Sequence, residues 1–126
     1  MKEFSLCSKL KEITIPSSVT AIGNYAFWQC TSLKRIKLPP TILSIGDSAF
    51  RRCIKLKEIT IPPTVMSIGE SAFNECISLI QISIPSSVIS LGNNAFMTCS
   101  SLKKVTILSE LLLIGYGTFN GCSSLK

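Results

Sequence analysis

The order of apolar and polar residues recurs along this chain with a fixed period of 23 residues. Ile59 to Leu79 reads ITIPPTVMSIGESAFNECISL, and close copies lie on both sides of it. Every phenylalanine keeps this spacing, at Phe4, Phe27, Phe50, Phe73, Phe96 and Phe119. Every cysteine keeps it too, at Cys7, Cys30, Cys53, Cys76, Cys99 and Cys122. The pattern predicts a solenoid, in which each unit buries its apolar face only against its neighbours.

The first part of each unit alternates like a strand. Ile59 and Ile61 are predicted to point inward, and Glu58 and Thr60 outward. Equivalent positions in the other units predict five strands in parallel register. Proline then ends the strand because it cannot donate to the ladder. In the fifth unit Leu108 takes the place of this proline, and a looser turn is expected there.

The middle part of the unit returns to the core and is predicted to form a second short extended piece. Val65 and Ile68 are its inward residues, and Gly69 marks either a positive φ or a close backbone approach. One apolar column can face inward or outward, depending on whether alternation is strict. It consists of Thr20, Leu43, Met66, Ile89 and Leu112.

The last part of the unit has helical spacing. Ala72, Phe73, Cys76 and Leu79 fall on one face, which predicts a short α or 3₁₀ turn with the phenylalanine in the core. Residues suited to cap such a turn precede it in other units, at Asn24, Asp47 and Asn93.

Two stretches carry a resemblance to a known family. SSVTAIGNYAFWQCTSL, at 17–33, and SSVISLGNNAFMTCSSL, at 86–102, resemble the BspA-like leucine-rich repeat unit, LxxIxIPxSVxxIGxxAFxxCxSL. The resemblance implies an α/β-type solenoid, wound as a right-handed superhelix, with a parallel strand face and short α/3₁₀ turns opposite. It also implies adhesion or protein binding, since such repeats are known from surface proteins of bacteria and protist parasites. The family has no shared catalytic motif.

The length of 126 residues predicts one domain, 1–126, of about five and a half repeats, uncapped at both ends. The N-terminal end would expose Phe4, Cys7 and Leu10 beneath Ile13. The C-terminal end would leave Val105 and Ile107 uncovered. We therefore expect end-to-end self-association or a capping partner, foremost at the open C-terminal repeat.

The chain is apolar but shows no membrane segment. Apolar residues make up 46% and the mean hydropathy is +0.43, yet no run approaches the ~18 residues that a spanning helix needs. The N-terminus lacks an export signal, which favours a cytoplasmic or cytoskeletal location for the chain as written, or the cell surface if it is a fragment of an exported parent. One cysteine per repeat predicts reduced, buried thiols instead of a disulfide framework.

The sequence contains few residues or motifs suited to catalysis. There is no histidine, each glycine stands apart from any phosphate-binding loop, and the serines lack a nucleophile motif. Asp47 and Glu70 share a column, but both occupy the predicted capping position. The sequence predicts a non-enzymatic protein with no catalytic residue, cofactor or metal site.

The outward positions beside the strands carry five of the six net positive charges. The candidate partner-binding residues on this face are Lys11, Lys34, Arg35, Lys37, Lys57, Glu58, Thr60, Lys103 and Lys104. They either protect a solvated sheet or receive a protein with an acidic surface. The face has no interleaved aromatic residues, which argues against nucleic acid. Trp28 is a further candidate anchor on a different edge.

Two hypotheses follow. The first is a protein-binding scaffold inside the cell, a structural or assembly component whose basic strand face binds acidic surfaces such as those of a cytoskeletal lattice. The alternative is a segment of a surface adhesin that binds host or matrix proteins. The orientation of the apolar column and the identity of the partner are open in both.

Overall fold

The protein, described by a computed structural model over residues 8–108 and 110–125, is a solenoid of short parallel strands joined by turns. Successive coils repeat the same path, one 23-residue unit each. The strands assigned in the described residues are β1 (Glu12–Thr14), β2 (Ala21–Ile22), β3 (Arg35–Lys37), β4 (Ser44–Ile45), β5 (Ser67–Ile68), β6 (Gln81–Ile84), β7 (Ser90–Leu91), β8 (Lys104–Ile107) and β9 (Leu113–Ile114).

The continuous sheet lies in the middle of each unit. Its order is β2-β4-β5-β7-β9, all parallel, and it confirms the predicted second extended piece. Its inward column is buried in the first four coils, at Ile22, Ile45, Ile68 and Leu91. The ladder extends one residue further back, where the Met66 amide donates to the Leu43 carbonyl at 2.8 Å.

The prediction that five strands pair continuously along the strand face is wrong. β1 pairs with β3 and β6 pairs with β8, but the third coil joins neither pair. Residues 58–61 make no backbone–backbone hydrogen bond within the described chain. The predicted alternation is nevertheless confirmed there, because Ile59 and Ile61 are buried while Glu58 and Thr60 are exposed.

The predicted effect of proline, which is to end the strand, is seen by comparison with the one unit that has no proline at this position. Leu108 replaces proline in the fifth unit, and its amide donates to the Ile84 carbonyl at 2.9 Å. β6 and β8 consequently pair over four residues each, against three in β1 and β3. An available N–H therefore lengthens the strand pairing at this position.

The predicted α or 3₁₀ turn is replaced by a run of hydrogen-bonded turns, and no helix occurs in 8–108 or 110–125. Alternate amides point in different directions. The Trp28 amide donates within the coil to the Tyr25 carbonyl, whereas Phe27 and Gln29 donate to carbonyls of the following coil at 2.8 and 2.9 Å. In a helix every amide would donate along the helix axis. Here every second amide donates to the neighbouring coil instead. The hand of the superhelix stays a prediction.

Positive φ angles occur in two columns of these turns. Among the described residues they fall on Tyr25, Ser48, Ser71, Asn94 and Gly117, and on Gln29, Arg52, Glu75, Thr98 and Gly121. Only the last coil uses glycine at these positions, although positive φ is uncommon for other residues.

The repeated glycines serve close packing instead. A Cβ added at Gly69 would lie 2.7 Å from the Asp47 amide nitrogen and 2.7 Å from the Gly46 carbonyl carbon. No positive φ is found at this column within the described chain. Of the two roles expected for these glycines, close backbone approach is therefore the correct one.

The predicted helix caps at Asn24, Asp47 and Asn93 are wrong, because there is no helix to cap. Their side chains join coils instead. Asn24 Oδ1 accepts from the Asp47 amide at 2.8 Å, Asp47 Oδ1 from the Glu70 amide at 2.9 Å, and Asn93 Oδ1 from the Tyr116 amide at 3.1 Å.

The core is built on a stack of phenylalanine rings, which confirms the predicted spine. Neighbouring rings from Phe27 to Phe119 are nearly parallel, with centroids 5.2–5.8 Å apart. Beside them the thiols of Cys53, Cys76, Cys99 and Cys122 each donate to a phenylalanine carbonyl of the coil before, as in Cys76 Sγ to the Phe50 oxygen at 3.1 Å.

The prediction of reduced cysteines is confirmed for Cys53, Cys76, Cys99 and Cys122. It is wrong for Cys30, which is disulfide-bonded. Phe4 and Cys7, predicted to be uncovered at the N-terminal end, lie outside the described residues.

Candidate protein-binding surfaces

The predicted strand-face residues all lie on the solvent side of the first part of the unit. Each of the nine has an exposed side chain: Lys11, Lys34, Arg35, Lys37, Lys57, Glu58, Thr60, Lys103 and Lys104. They are held there by alternation with a buried column, which in coils two to four is Ile36, Ile59 and Ile82. The fold therefore brings these residues onto one basic face.

The lysine column on this face is arranged in two groups. In the first group, the Lys34 amide donates to the Lys11 carbonyl at 2.8 Å. In the second, the Lys103 amide donates to the Ile80 carbonyl at 2.8 Å, and the Ile80 amide donates to the Lys57 carbonyl at 3.1 Å. No such bond links Lys34 to Lys57 within the described chain. The interruption lies at the same coil that leaves the strand pairing.

Few of these charges are neutralised by the chain itself. Arg35 Nη1 lies 3.7 Å from Glu12 Oε1, and both side chains are largely exposed. A pair of this kind contributes about 0–1 kcal/mol. Glu58 forms no ion pair with any described residue. The face thus keeps most of its positive charge available to a partner.

Two shallow depressions lie on the basic face, and Glu58, Ile59 and Thr60 line both of them. The first is completed by Glu12, Ile13, Thr14, Arg35, Ile36 and Lys37. The second is completed by Ile61, Gln81, Ile82, Ser83, Pro85, Lys104, Thr106 and Leu108. Polar backbone without a strand partner therefore lies at the centre of the face.

Trp28 belongs to a different edge and is partly buried, so it is a smaller anchor than expected. Its ring meets Tyr25 edge to face, with centroids 6.2 Å apart. Further along this edge, Arg51 and Arg52 both approach the Glu75 carboxylate, at 3.8 and 3.7 Å. The fold does not bring Trp28 onto the basic face.

The apolar column that the sequence left ambiguous faces solvent. Its fractional exposures are 50% at Leu43, 52% at Met66, 45% at Ile89 and 77% at Leu112. We call these four residues the apolar ridge. Val65 and Ile68 are both buried, with Met66 and Ser67 between them, so the chain departs from strict alternation here.

The free thiols are poorly suited to reactions. Burial raises the pKa of Cys53 and of Cys99 to about 12, and raises that of Cys76 well above its ordinary value. They remain protonated at neutral pH, which suits their role as donors to phenylalanine carbonyls. The structure gathers no three potential metal ligands of the His, Cys, Asp or Glu type in the described ranges. Nor does any helix there have the length and apolarity to cross a membrane.

Parallel strands, turns and a leucine-like core repeated every 23 residues define the class of leucine-rich repeat solenoids. A model of the BspA type leucine rich repeat region matches six copies over residues 1–126. The chain therefore belongs to the BspA-type leucine-rich repeat family, as the sequence predicted.

Solved structures agree with this assignment. The leucine rich repeat protein of T. pallidum is 32% identical over 100% of this chain and 70% of its own, with a TM-score of 0.85. A leucine rich cell surface protein of Faecalibacterium prausnitzii is 31% identical over 96% of this chain and 40% of its own, with a TM-score of 0.80. The pneumococcal vaccine antigen PcpA is 26% identical over 88% and 32%, with a TM-score of 0.71. No curated protein sequence gives a significant match.

Proposed function

We propose that the chain is a non-enzymatic binding scaffold, a single leucine-rich repeat domain that receives an acidic protein surface on its basic strand face. The observation that carries this proposal is that the eight charged candidate residues lie on one exposed face, where only Arg35 forms an ion pair with a described residue, Glu12. Repeats of this family are typical of proteins that bind other proteins or lie at the cell surface. Its mechanism is complementarity of charge and shape on a regular lattice of side chains.

We place the scaffold at the cell surface, as in the adhesin hypothesis. One matched relative is a leucine rich cell surface protein, which favours this location. The disulfide at Cys30 also removes the argument for a reducing interior that unpaired cysteines had supplied. None of the relatives described above supports the intracellular and cytoskeletal hypothesis. Fractionation of the native protein separates the two, because a cytoskeletal pellet free of surface label contradicts our proposal.

The binding test uses a fluorescent acidic peptide, a 12-residue glutamate-rich sequence, titrated with the folded chain. Charge reversal at Lys34, Lys57 and Lys103 should weaken binding at least tenfold. Raising the salt concentration should weaken binding to the unmodified chain, because exposed charges are screened within about 8 Å at physiological ionic strength.

The matched control reverses the same number of charges elsewhere. Lys9, Arg52 and Lys55 are exposed and lie outside the strand-face columns, so their reversal to glutamate produces an equal change in net charge. A loss of the same size in both variants would mean that net charge alone attracts the peptide. A DNA duplex that binds more tightly than the peptide to the basic face would also overturn the proposal of a protein partner.

A further inference from the structure

Charged residues are divided unevenly between the two halves of the repeat. The half that runs from the proline column to the phenylalanine column spans 16–27, 39–50, 62–73, 85–96 and 108–119. It contains Asp47, Glu70 and Glu110 but no lysine or arginine, whereas the other residues hold all 13 basic side chains and four acidic ones. One side of the solenoid is therefore basic, and the other is neutral to acidic.

The apolar ridge lies on the half without basic residues. A hydrogen-bonded backbone ladder fixes its spacing: the Leu43, Met66, Ile89 and Leu112 amides each donate one coil back, over 2.7–2.9 Å. Adjacent ridge side chains are consequently about 4.8 Å apart. The four large apolar side chains of this row are each 45% exposed or more, and contiguous exposed apolar surface of this kind is typical of an interaction site.

A groove runs beside the ridge, along the continuous sheet. Gly69, Gly92 and Gly115 form its floor, and their packing against the preceding coil leaves no room for a side chain. Ser67 and Ser90 line the wall nearer the ridge. The opposite wall is formed by Asp47, Glu70, Asn93 and Tyr116. The surface thus combines an apolar row, a smooth channel and two carboxylates.

We propose that this surface docks a basic amphipathic helix of a partner protein. Residues three and four apart on a helix are separated by about 4.5 and 6 Å along its axis, which brackets the ~4.8 Å step of the ridge. The three steps from Leu43 to Leu112 span about 14 Å, or roughly ten helical residues. The apolar side of the helix covers the ridge, and its lysines or arginines face Asp47 and Glu70.

A second copy of this chain is a poorer occupant. The described residues of a copy include no helix that could fill this role. A two-fold arrangement of ridge on ridge also brings together two halves that carry only acidic charges, which repel. An extended strand fits less well, since its same-side residues are about 6.8 Å apart.

The test uses an 18-residue peptide of leucine and lysine, with leucine at helical spacing and lysine elsewhere. Binding is followed by fluorescence anisotropy, and helix formation by circular dichroism at 222 nm. We expect micromolar binding, with a gain of helicity on addition of the chain. A scrambled peptide of the same composition, which cannot present one apolar side, should bind at least tenfold more weakly.

Substitutions locate the contact. Met66→Lys with Ile89→Lys removes the centre of the ridge and should reduce affinity at least tenfold. Thr60→Lys with Ser83→Lys adds the same charge at exposed positions of the same two coils, on the basic face, and should change affinity less than threefold. Equal losses in the two variants, or equal binding of the scrambled peptide, would overturn the proposal. Because the basic face is not used, this result is independent of the binding of acidic partners.

Discussion

At the scale of single residues, one position of the repeat forms a side-chain hydrogen bond in two coils but not in the next. Thr41 Oγ1 donates to the Val19 carbonyl at 2.6 Å, and Thr64 Oγ1 donates to the Ile42 carbonyl at 2.6 Å. The next coil has Ser87 in this column, and its buried hydroxyl has no partner among the described residues. Serine lacks the methyl group that restricts the threonine rotamer, so its hydroxyl is not directed at the carbonyl of Val65.

Ser87→Thr should therefore stabilise the protein by about 0.5–1.5 kcal/mol, the net value of a typical hydrogen bond. Urea denaturation measures the change. Ser86→Thr, at the exposed neighbour, serves as the control and should leave the midpoint unchanged. A lower stability for Ser87→Thr would show that the added methyl group does not fit between the coils.

The thiols give the stability a dependence on pH. A thiol with a pKa raised by burial, as in Cys53, stays protonated in the folded state up to about pH 12, whereas in the unfolded chain it ionises near 9.0. Unfolding therefore releases a proton between these values, and stability falls as the pH rises through that window. The slope is about −1.4 kcal/mol per pH unit for each such thiol.

The variant Cys53→Ser tests this slope, since serine retains a donor for the Phe27 carbonyl without ionising in the range. Its free energy of unfolding should fall less steeply above pH 9 than that of the unmodified chain. Lysines and tyrosines titrate in both proteins, so the difference between the two slopes isolates the thiol. Parallel slopes would mean that this thiol is already accessible to solvent in the folded protein.

At the scale of elements, stability depends on columns that continue through the whole stack. Phe73 is fully buried and lies between two parallel rings, with centroids 5.2 Å from each. Phe73→Ala removes a ring from the middle of this column and should destabilise the protein by about 3–5 kcal/mol. Thr60→Ala, on the exposed face of the same repeat, should cost little. A chemical denaturation series in which the two variants match would contradict the assignment of faces.

The sequence predicted the elements unevenly. Alternation around Ile59 identified the inward residues correctly, because burial follows directly from a period of two. It did not predict that residues 58–61 leave the ladder, since pairing depends on the position of neighbouring coils. The turn from Gly69 to Leu79 has helical spacing in its apolar residues, yet its alternate amides bond to the next coil. The spacing of apolar residues alone does not distinguish a helix from this run of turns.

At the scale of the whole molecule, the distribution of charge could be predicted from the sequence, whereas the apolar ridge could not. The basic columns follow from the period and from alternation beside Ile36 and Ile59. The ridge required a choice between two phases, because both Val65 and Ile68 point inward with two residues between them. Only the folded path shows that Met66 faces solvent while Ser67 borders the groove.

In the C-terminal coil of the described residues, apolar side chains that are buried in earlier coils are exposed. Ile107 is 42% exposed and Ile114 is 57% exposed, although the equivalent residues one coil earlier, Ile84 and Leu91, are 0% and 2% exposed. The edges of β8 and β9 at this end have no pairing strand within the described chain. Such an edge is a template for another strand, and such an apolar surface favours association. We therefore predict that this surface of the 126-residue chain is covered by a second copy, by a capping partner or by further sequence.

Sedimentation velocity over a range of concentrations tests the stacking form of this prediction. The unmodified chain should shift to faster-sedimenting species as its concentration rises. Ile107→Lys with Ile114→Lys places two charges on the open end and should return it to a monomer. Thr60→Lys with Ser83→Lys adds equal charge away from the end and should leave association unchanged. An unmodified chain that is a monomer at every concentration, with amide hydrogens of β8 and β9 protected from exchange, would show that this end is stable without a neighbour, because an unpaired edge strand exchanges readily.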